Sequence, residues 1–258
     1  MQKYLVVFMK YKYLLYNLIE RDIKVKYRRS VLGLFWSILN PLLTMMILTF
    51  VFSNLFKFQV ENFALYVILG LTMFNFMSEA TNLSMMSMLA AGPLIKKVYI
   101  PKYIFPLEKS LFAFVNLIFS MIAVILVVVY SGVNIKINVI LFPIPLIYLL
   151  VFSTGLGFIL SAMAVFFRDI LHLYGVILTA WMYLTPIIYP ISILPDFMKK
   201  LMLCNPMYHY IEYFRNIIMY GTIPGVRENL ICIGFAIITL IAGLLIFKVK
   251  QDRFILFI

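Results

Sequence analysis

The sequence predicts an all-α membrane protein that crosses the bilayer six times, and three observations carry that reading. Hydrophobic residues make up 64% of the 258 and charged residues only 12%, whereas a soluble domain carries about 25% charged residues. An excess of that size cannot be hidden in one globular core. Apolar runs near the roughly 20 residues that span the hydrocarbon recur over 34–56, 63–90, 110–131, 137–166, 171–191 and 229–247. Finally, with the N-terminus in the cytoplasm, 16 of the 22 Lys and Arg residues fall on the cytoplasmic side and 6 on the outer side. The positive-inside rule requires that bias, and the opposite topology would invert it. Both termini are therefore expected in the cytoplasm. Much of the +12 net charge is then a topological signal, and no nucleic-acid partner is expected.

The chain reads as one transmembrane domain, 1–258. Residues 1–33 form a cytoplasmic interfacial helix, 34–190 hold spans one to five, 191–228 hold outer helices, and 229–258 hold span six and a cytoplasmic tail. The N-terminal segment is too charged to span and too broken by Lys and Arg to be a cleavable signal peptide. Leu15, Ile19, Ile23 and Tyr27 recur every four residues, while Arg21, Lys24 and Arg28 take another face. That pattern describes an amphipathic helix at the interface, with its cations near anionic headgroups. It serves either as a surface anchor or also as the frame for an anionic lipid-linked substrate.

Span two carries Asn75, Glu79 and Asn82 on one helical face. At 1.5 Å per residue, Glu79 lies roughly 24 Å along the span, towards the cytoplasmic third. An ionisable group there faces protein or a cavity. It either lines a pathway, binds a partner helix, or is satisfied within the bundle. After span two, Gly92 and Pro93 can begin a short helix and Pro101 disfavours helix at Ile100. The intervening residues offer both apolar and basic groups to a partner's groove, or form an ordinary positive-inside loop. Arg168 and Asp169 end span four as a snorkelling cation and a helix-starting acid.

Span five is marginal because Pro186, Pro190 and Pro195 crowd its far end, and it is expected to be broken or re-entrant. Beyond it, Met207, Tyr210, Ile211, Phe214, Ile217 and Ile218 fit an amphipathic helix, with Glu212 and Arg215 able to pair on its polar side. With the shorter piece at Lys199 and Lys200, this makes two helices that either rest on the outer surface or re-enter to cap an exit. Of the 24 Phe and 17 Tyr, most suit lipid packing and interfacial belts; the remainder can line a conduit for sugar rings.

No phosphate-loop motif occurs, so ATP is not expected to bind this chain. His172 and His209 lack metal spacing, Cys204 and Cys232 lack ligand or disulfide spacing, and no nucleophile elbow is present. No catalytic residue, metal or cofactor is expected, and the chain is read as a transport subunit rather than an enzyme.

Several segments resemble a known family. Arg21-Asp22-Ile23-Lys24, Tyr27-Arg28-Arg29-Ser30, Leu32-Gly33, Trp36 and Asn40-Pro41-Leu42 resemble the start of the ABC-2 type permeases that export O-antigen, capsule and teichoic acid. So do Phe166-Phe167-Arg168-Asp169-Ile170, Leu184-Thr185-Pro186-Ile187-Ile188-Tyr189 and Asn205-Pro206-Met207-Tyr208, in order along essentially the whole chain. The resemblance implies a homodimer in the bacterial plasma membrane with two copies of a separate cytoplasmic ATPase, which binds ATP and Mg. It implies an undecaprenyl-linked polysaccharide as cargo. It makes 93–100 look like a coupling helix with Lys96, Lys97, Val98 and Tyr99 facing the ATPase. Arg21, Lys24, Arg28 and Arg29 then attend the substrate headgroup, while 191–220 become re-entrant gate helices with Tyr189, Tyr208, Tyr210 and Phe214 as aromatic lining. Competing readings are an ABC-2 permease for drugs or lipids, a membrane enzyme of lipid-linked sugars, and an ion channel or secondary transporter.

Overall fold

The computed structural model describes residues 2–28, 30–55, 60–134 and 136–257. Among them all regular structure is helical. In order these are α1 (Gln2–Tyr27), α2 (Phe35–Leu55), α3 (Phe63–Ala90), α4 (Gly92–Ile95), α5 (Ile104–Ser131), α6 (Pro143–Phe166), α7 (Ile170–Leu184), α8 (Asp196–Met202), α9 (Pro206–Ile218) and α10 (Val226–Lys250). Short 3₁₀ turns precede α6 and α8 and follow α10.

Five helices among the described residues are long and apolar enough to cross a membrane: α2, α3, α5, α6 with its preceding turn, and α10. The expected fifth span does not reach that length. It folds as α7, only 15 residues, or roughly 22 Å at 1.5 Å per residue, against a hydrocarbon core of about 30 Å. Thr185 leaves helical geometry at φ −86°, ψ 135°, as expected for a residue followed by proline. The span beginning near 110 starts earlier, at Ile104, because Pro106 falls within the first turn, where proline costs no hydrogen bond. The short segment at 93–100 is helical only over Gly92–Ile95, with a further turn closed by Val98 N donating to Leu94 O.

Span α3 is the centre of the bundle. Its residues from Leu65 to Leu69 are all fully buried, and α2, α5, α6 and α9 pack around it. Helices α6 and α10 meet most closely at glycine: a Cβ on Gly243 would lie 2.2 Å from the carbonyl oxygen of Gly155. Small residues are what let helix backbones approach where lipid provides no hydrophobic drive. The apolar stripe of α1 does not rest on lipid alone. Leu15 and Leu18 are buried in a second cluster with Met88, Ile104 and Phe105, so α1 is docked on protein at one end of the bundle.

The break after α7 is held from inside. Arg215 on α9 is fully buried and donates to the carbonyls of Pro186 (2.9 Å), Ile187 (3.1 Å) and Tyr66 (3.1 Å). Its guanidinium carbon stacks 3.3 Å from the Tyr66 ring centroid, and it pairs with Glu212 at 3.0 Å. The Tyr66 hydroxyl donates to the carbonyls of Pro186 and Tyr189 at 3.1 and 3.0 Å. Gly70 makes room for this: a Cβ there would lie 2.9 Å from Arg215 Nη2. The expected Glu212–Arg215 pair is present, but Arg215 is interior rather than on a polar outer face. Its fork satisfies carbonyls that the broken helix cannot pair, and hydrogen-bonding to them outweighs exposure.

Nearby, Asn205 accepts from Met207 N (3.1 Å) and Trp181 Nε1 (2.9 Å) and donates to Thr185 Oγ1 (2.9 Å). It thereby caps α9 and ties that helix to the end of α7. Replacing Arg215 with an apolar side chain leaves buried carbonyls without their donor, at about 1–3 kcal/mol for each such group. Arg215→Met is accordingly expected to lower the melting temperature of the purified protein by several degrees, with Arg215→Lys intermediate because it keeps charge but loses the planar fork. Thermal unfolding in detergent measures this; a methionine variant melting like the wild type would contradict it.

Candidate functional site

A polar cleft of about 460 Å³ opens between α1, α2, α3 and α5. Each helix gives it one face at helical spacing. From α3 come Leu71, Thr72, Asn75, Phe76 and Glu79; from α5, Asn116, Leu117 and Ser120. Helix α2 adds Trp36, Ser37, Asn40, Pro41 and Thr44, and α1 closes one end with Lys26 and Tyr27. Amides, hydroxyls and a carboxylate thus share one space with the Trp36 and Phe76 rings.

The polar groups are wired together. Glu79 Oε1 accepts from Lys26 Nζ at 2.7 Å and from Asn116 Nδ2 at 2.9 Å. The Tyr27 hydroxyl donates to Asn116 Oδ1 at 3.3 Å and also hydrogen-bonds Ser37 Oγ. Pro41 has no N–H to offer the Ser37 carbonyl one turn back, and Ser120 Oγ donates to that carbonyl at 3.1 Å instead. The proline of the Asn40-Pro41-Leu42 segment therefore opens a hydrogen-bonding position that α5 fills from across the cleft. Asn40 and Asn75 remain exposed on the single chain. Asn82 does not share the cleft; its amide bonds Ser78 at 3.4 Å.

Beside this network, Asp22 on α1 pairs with Lys109 on α5 and with Arg21 at 2.8 Å. Burial pushes the Asp22 carboxyl up, but the hydrogen bonds and charges of Lys109 and Arg21 outweigh it and hold it below its ordinary value. Two ion pairs, Lys26–Glu79 and Asp22–Lys109, thus fasten α1 to the spans.

The expected headgroup residues lie elsewhere on α1. Arg21, Lys24 and Arg28 border a shallow groove of about 500 Å³ with Asn17, Glu20 and Val25. Arg21 is engaged by Asp22 and Lys24 by Glu20 at 2.5 Å. Arg28 is exposed with no acidic partner among the described residues, and Arg29 lies outside the described residues. Lys96, Lys97, Val98 and Tyr99 are all exposed. A groove of about 540 Å³ joins Lys96 and Pro93 to Arg168 and Leu171, so the segment after α6 reaches the same surface as α4.

The four aromatic candidates separate. Tyr189 and Tyr208 are half-buried, and Tyr189 turns its hydroxyl onto the carbonyls of Tyr183 and Leu184 at the end of α7. Tyr210 and Phe214 are fully buried within the chain; the Tyr210 hydroxyl donates to Cys232 O at 3.0 Å and its ring meets Phe152 at 5.6 Å. They brace α9 against α6 and α10 rather than facing open space. Lys26, Asn116 and Ser37 were not expected at the site. For Lys26 a signal existed: Leu15, Leu18, Asp22 and Lys26 form one stripe at helical spacing, and that stripe is the docked face.

Long apolar helices around a hydrogen-bonded polar cleft define a multi-pass membrane protein with polar groups inside its helix bundle. The profile of the ABC-2 type transporters matches residues 13–219, and the chain belongs to that family. It is 28% identical to the O-antigen export system permease protein RfbA of Myxococcus xanthus, over 95% of each chain. It is 31% identical to the protein of that name from Klebsiella pneumoniae, over 93% of each. It is 23% identical to the polysialic acid transport protein KpsM of Escherichia coli, over 90% of this chain and 91% of that one.

The Lys26–Glu79 pair is partly exposed, at 39% and 31% of its side-chain areas, so it contributes at most about 1 kcal/mol. Glu79→Ala is expected to raise amide exchange in residues 20–28 severalfold while the centre of α3 stays protected. Hydrogen-exchange mass spectrometry reads this directly, and unchanged exchange at the end of α1 would contradict the fastening role.

Proposed function

We propose that this chain is the membrane-spanning permease subunit of an ATP-driven exporter that carries a lipid-linked polysaccharide out of the cytoplasm across the plasma membrane. The observation that carries the reading is similarity at 28–31% identity, over nearly the full length of both chains, to permeases named for O-antigen export. The cleft suits such cargo. Hydroxyls and amides exchange hydrogen bonds with sugar hydroxyls, and aromatic faces stack on sugar rings.

Two copies complete the conduit. Exposed Asn40 and Asn75 would be costly against lipid, and the apolar outer faces of α2 and α7, including Phe35, Met46, Phe50, Leu173 and Val176, give a second copy a surface to pack on. The cationic side of α1, with Arg21, Lys24, Arg28 and Arg29, receives the undecaprenyl phosphate or diphosphate head. Both termini lie in the cytoplasm, and α7 with the bent segment behind it serves as the fifth of six crossings. Helices α8 and α9 form the outer gate, which Tyr189 and Tyr208 border, while Tyr210 and Phe214 support it from behind.

Two copies of a cytoplasmic ATPase bind ATP and Mg and push on Lys96, Lys97, Val98 and Tyr99. Their motion reaches the cleft through α1 and α3. Affinity purification from native membranes is expected to bring down an ATPase with a phosphate-loop motif in equal amount. Lys96→Glu with Lys97→Glu is expected to lose that partner or to hydrolyse ATP without export. Full coupling in the double variant would remove the coupling assignment, and repeated absence of any ATPase would remove the exporter reading itself.

A further inference from the structure

Where α10 leaves the apolar region, the chain turns back on itself. Helix α10 ends at Lys250, and the 3₁₀ turn Gln251–Leu256 folds under the bundle. Phe254 is fully buried there, with its ring 5.2 Å from Phe247 and 5.8 Å from Phe166. Phe257 meets Phe166 edge-on at 5.0 Å. Between this foot and α6 lies a groove of about 480 Å³. Its walls are apolar, with Met163, Phe166 and Phe167 on one side and Ile246, Leu256 and Phe257 on the other.

Two cations, Lys250 and Arg253, stand at the groove's rim. Neither has an acidic side chain within 4.0 Å among the described residues. Lys250 Nζ sits 5.8 Å from the Phe166 ring centroid. The adjacent acid, Asp252, acts electrostatically on Lys102. The groove shares no lining residue with the polar cleft and lies on the α6–α10 side of the bundle.

We propose that this groove binds one anionic glycerophospholipid of the surrounding leaflet, its phosphate between Lys250 and Arg253 and an acyl chain along Met163, Phe166 and Ile246. Charge complementarity argues for that occupant. Unpaired cations at the end of a span attract anionic headgroups, and basic pockets between spans hold such heads specifically. An apolar trough running from the cations into the bundle gives the chain of the same molecule its place. The exposed rings of Phe167 and Phe257 make the trough continuous with lipid. A polyprenyl phosphate offers a similar head, but under the proposed function that head belongs to the cationic side of α1.

Native mass spectrometry of the full-length protein, supplied with equal phosphatidylglycerol and phosphatidylethanolamine, tests the site. Two surface charges correspond to a preference of about 10–30-fold for the anionic lipid. That preference is expected to vanish in Lys250→Gln with Arg253→Gln and to persist in Lys199→Gln with Lys200→Gln on α8. Met163→Trp, which fills the trough and leaves both charges, is expected to lose the bound lipid as well, and it decides the matter if the double variant fails to fold. Equal retention of both lipids by the wild type would overturn the proposal. So would undiminished phosphatidylglycerol on either groove variant, or displacement of phosphatidylglycerol by an equal concentration of undecaprenyl phosphate.

Discussion

A helix broken inside a packed bundle leaves carbonyls that water cannot reach, and the buried guanidinium of Arg215 is what satisfies them. Its contacts to Pro186, Ile187 and Tyr66 join the end of α7, the first turn of α3 and α9 into one unit. A buried backbone group left without a partner costs about 1–3 kcal/mol, so that fork, together with the Tyr66 hydroxyl, stabilises the bend after Leu184. The same constraint recurs at Pro41, inside α2. Ser120 donates to the Ser37 carbonyl that Pro41 leaves free. That repair comes from α5, so Pro41 also becomes a point of attachment between the two helices.

The polar cleft follows from this. Repairing Pro41 from α5 holds α2 and α5 together along their polar faces, beside Asn116 and Glu79. Glu79 in turn needs a partner, and α1 supplies Lys26. The helix that lies outside the bundle is thereby connected to its interior by two ion pairs, Lys26–Glu79 and Asp22–Lys109. Helix α1 thus has a short, charged path to the cleft.

Much of the fold was legible because lipid permits few alternatives. The run 63–90 folds as α3 with the expected ends, since nothing within it breaks helical pairing and Gly92-Pro93 restarts the chain. All six apolar positions expected on α9 are buried. Span five was read by its prolines as broken, but its length was overestimated, because apolar character continues through residues 185–191 after the helix has stopped. Arg215 was counted with the outer cations, since charge in a sequence signals water unless carbonyl acceptors are known to surround it. Those acceptors come from Tyr66, 149 residues away, and from the bend. Tyr210 and Phe214 read as lining because aromatic residues suit both a conduit and a core, and only packing against Phe152 and α10 separates the two. Of the cleft, Asn75 and Glu79 were visible as polar residues on an apolar span. Asn116 and Ser37 were not, because an isolated small polar residue in a span carries no periodic signal.

Under the proposed function, cargo passes the cleft bounded by Glu79, Asn116 and Trp36. A photo-crosslinking side chain at Asn75, on the open edge of that cleft, tests it most directly when illuminated in cells during active export. The expected result is an adduct carrying glycan that depends on ATP hydrolysis by the proposed partner, and no such adduct from the same probe at Val176 on the outer face of α7. Adducts to phospholipid alone at Asn75, with glycan captured at Val176 instead, would contradict it.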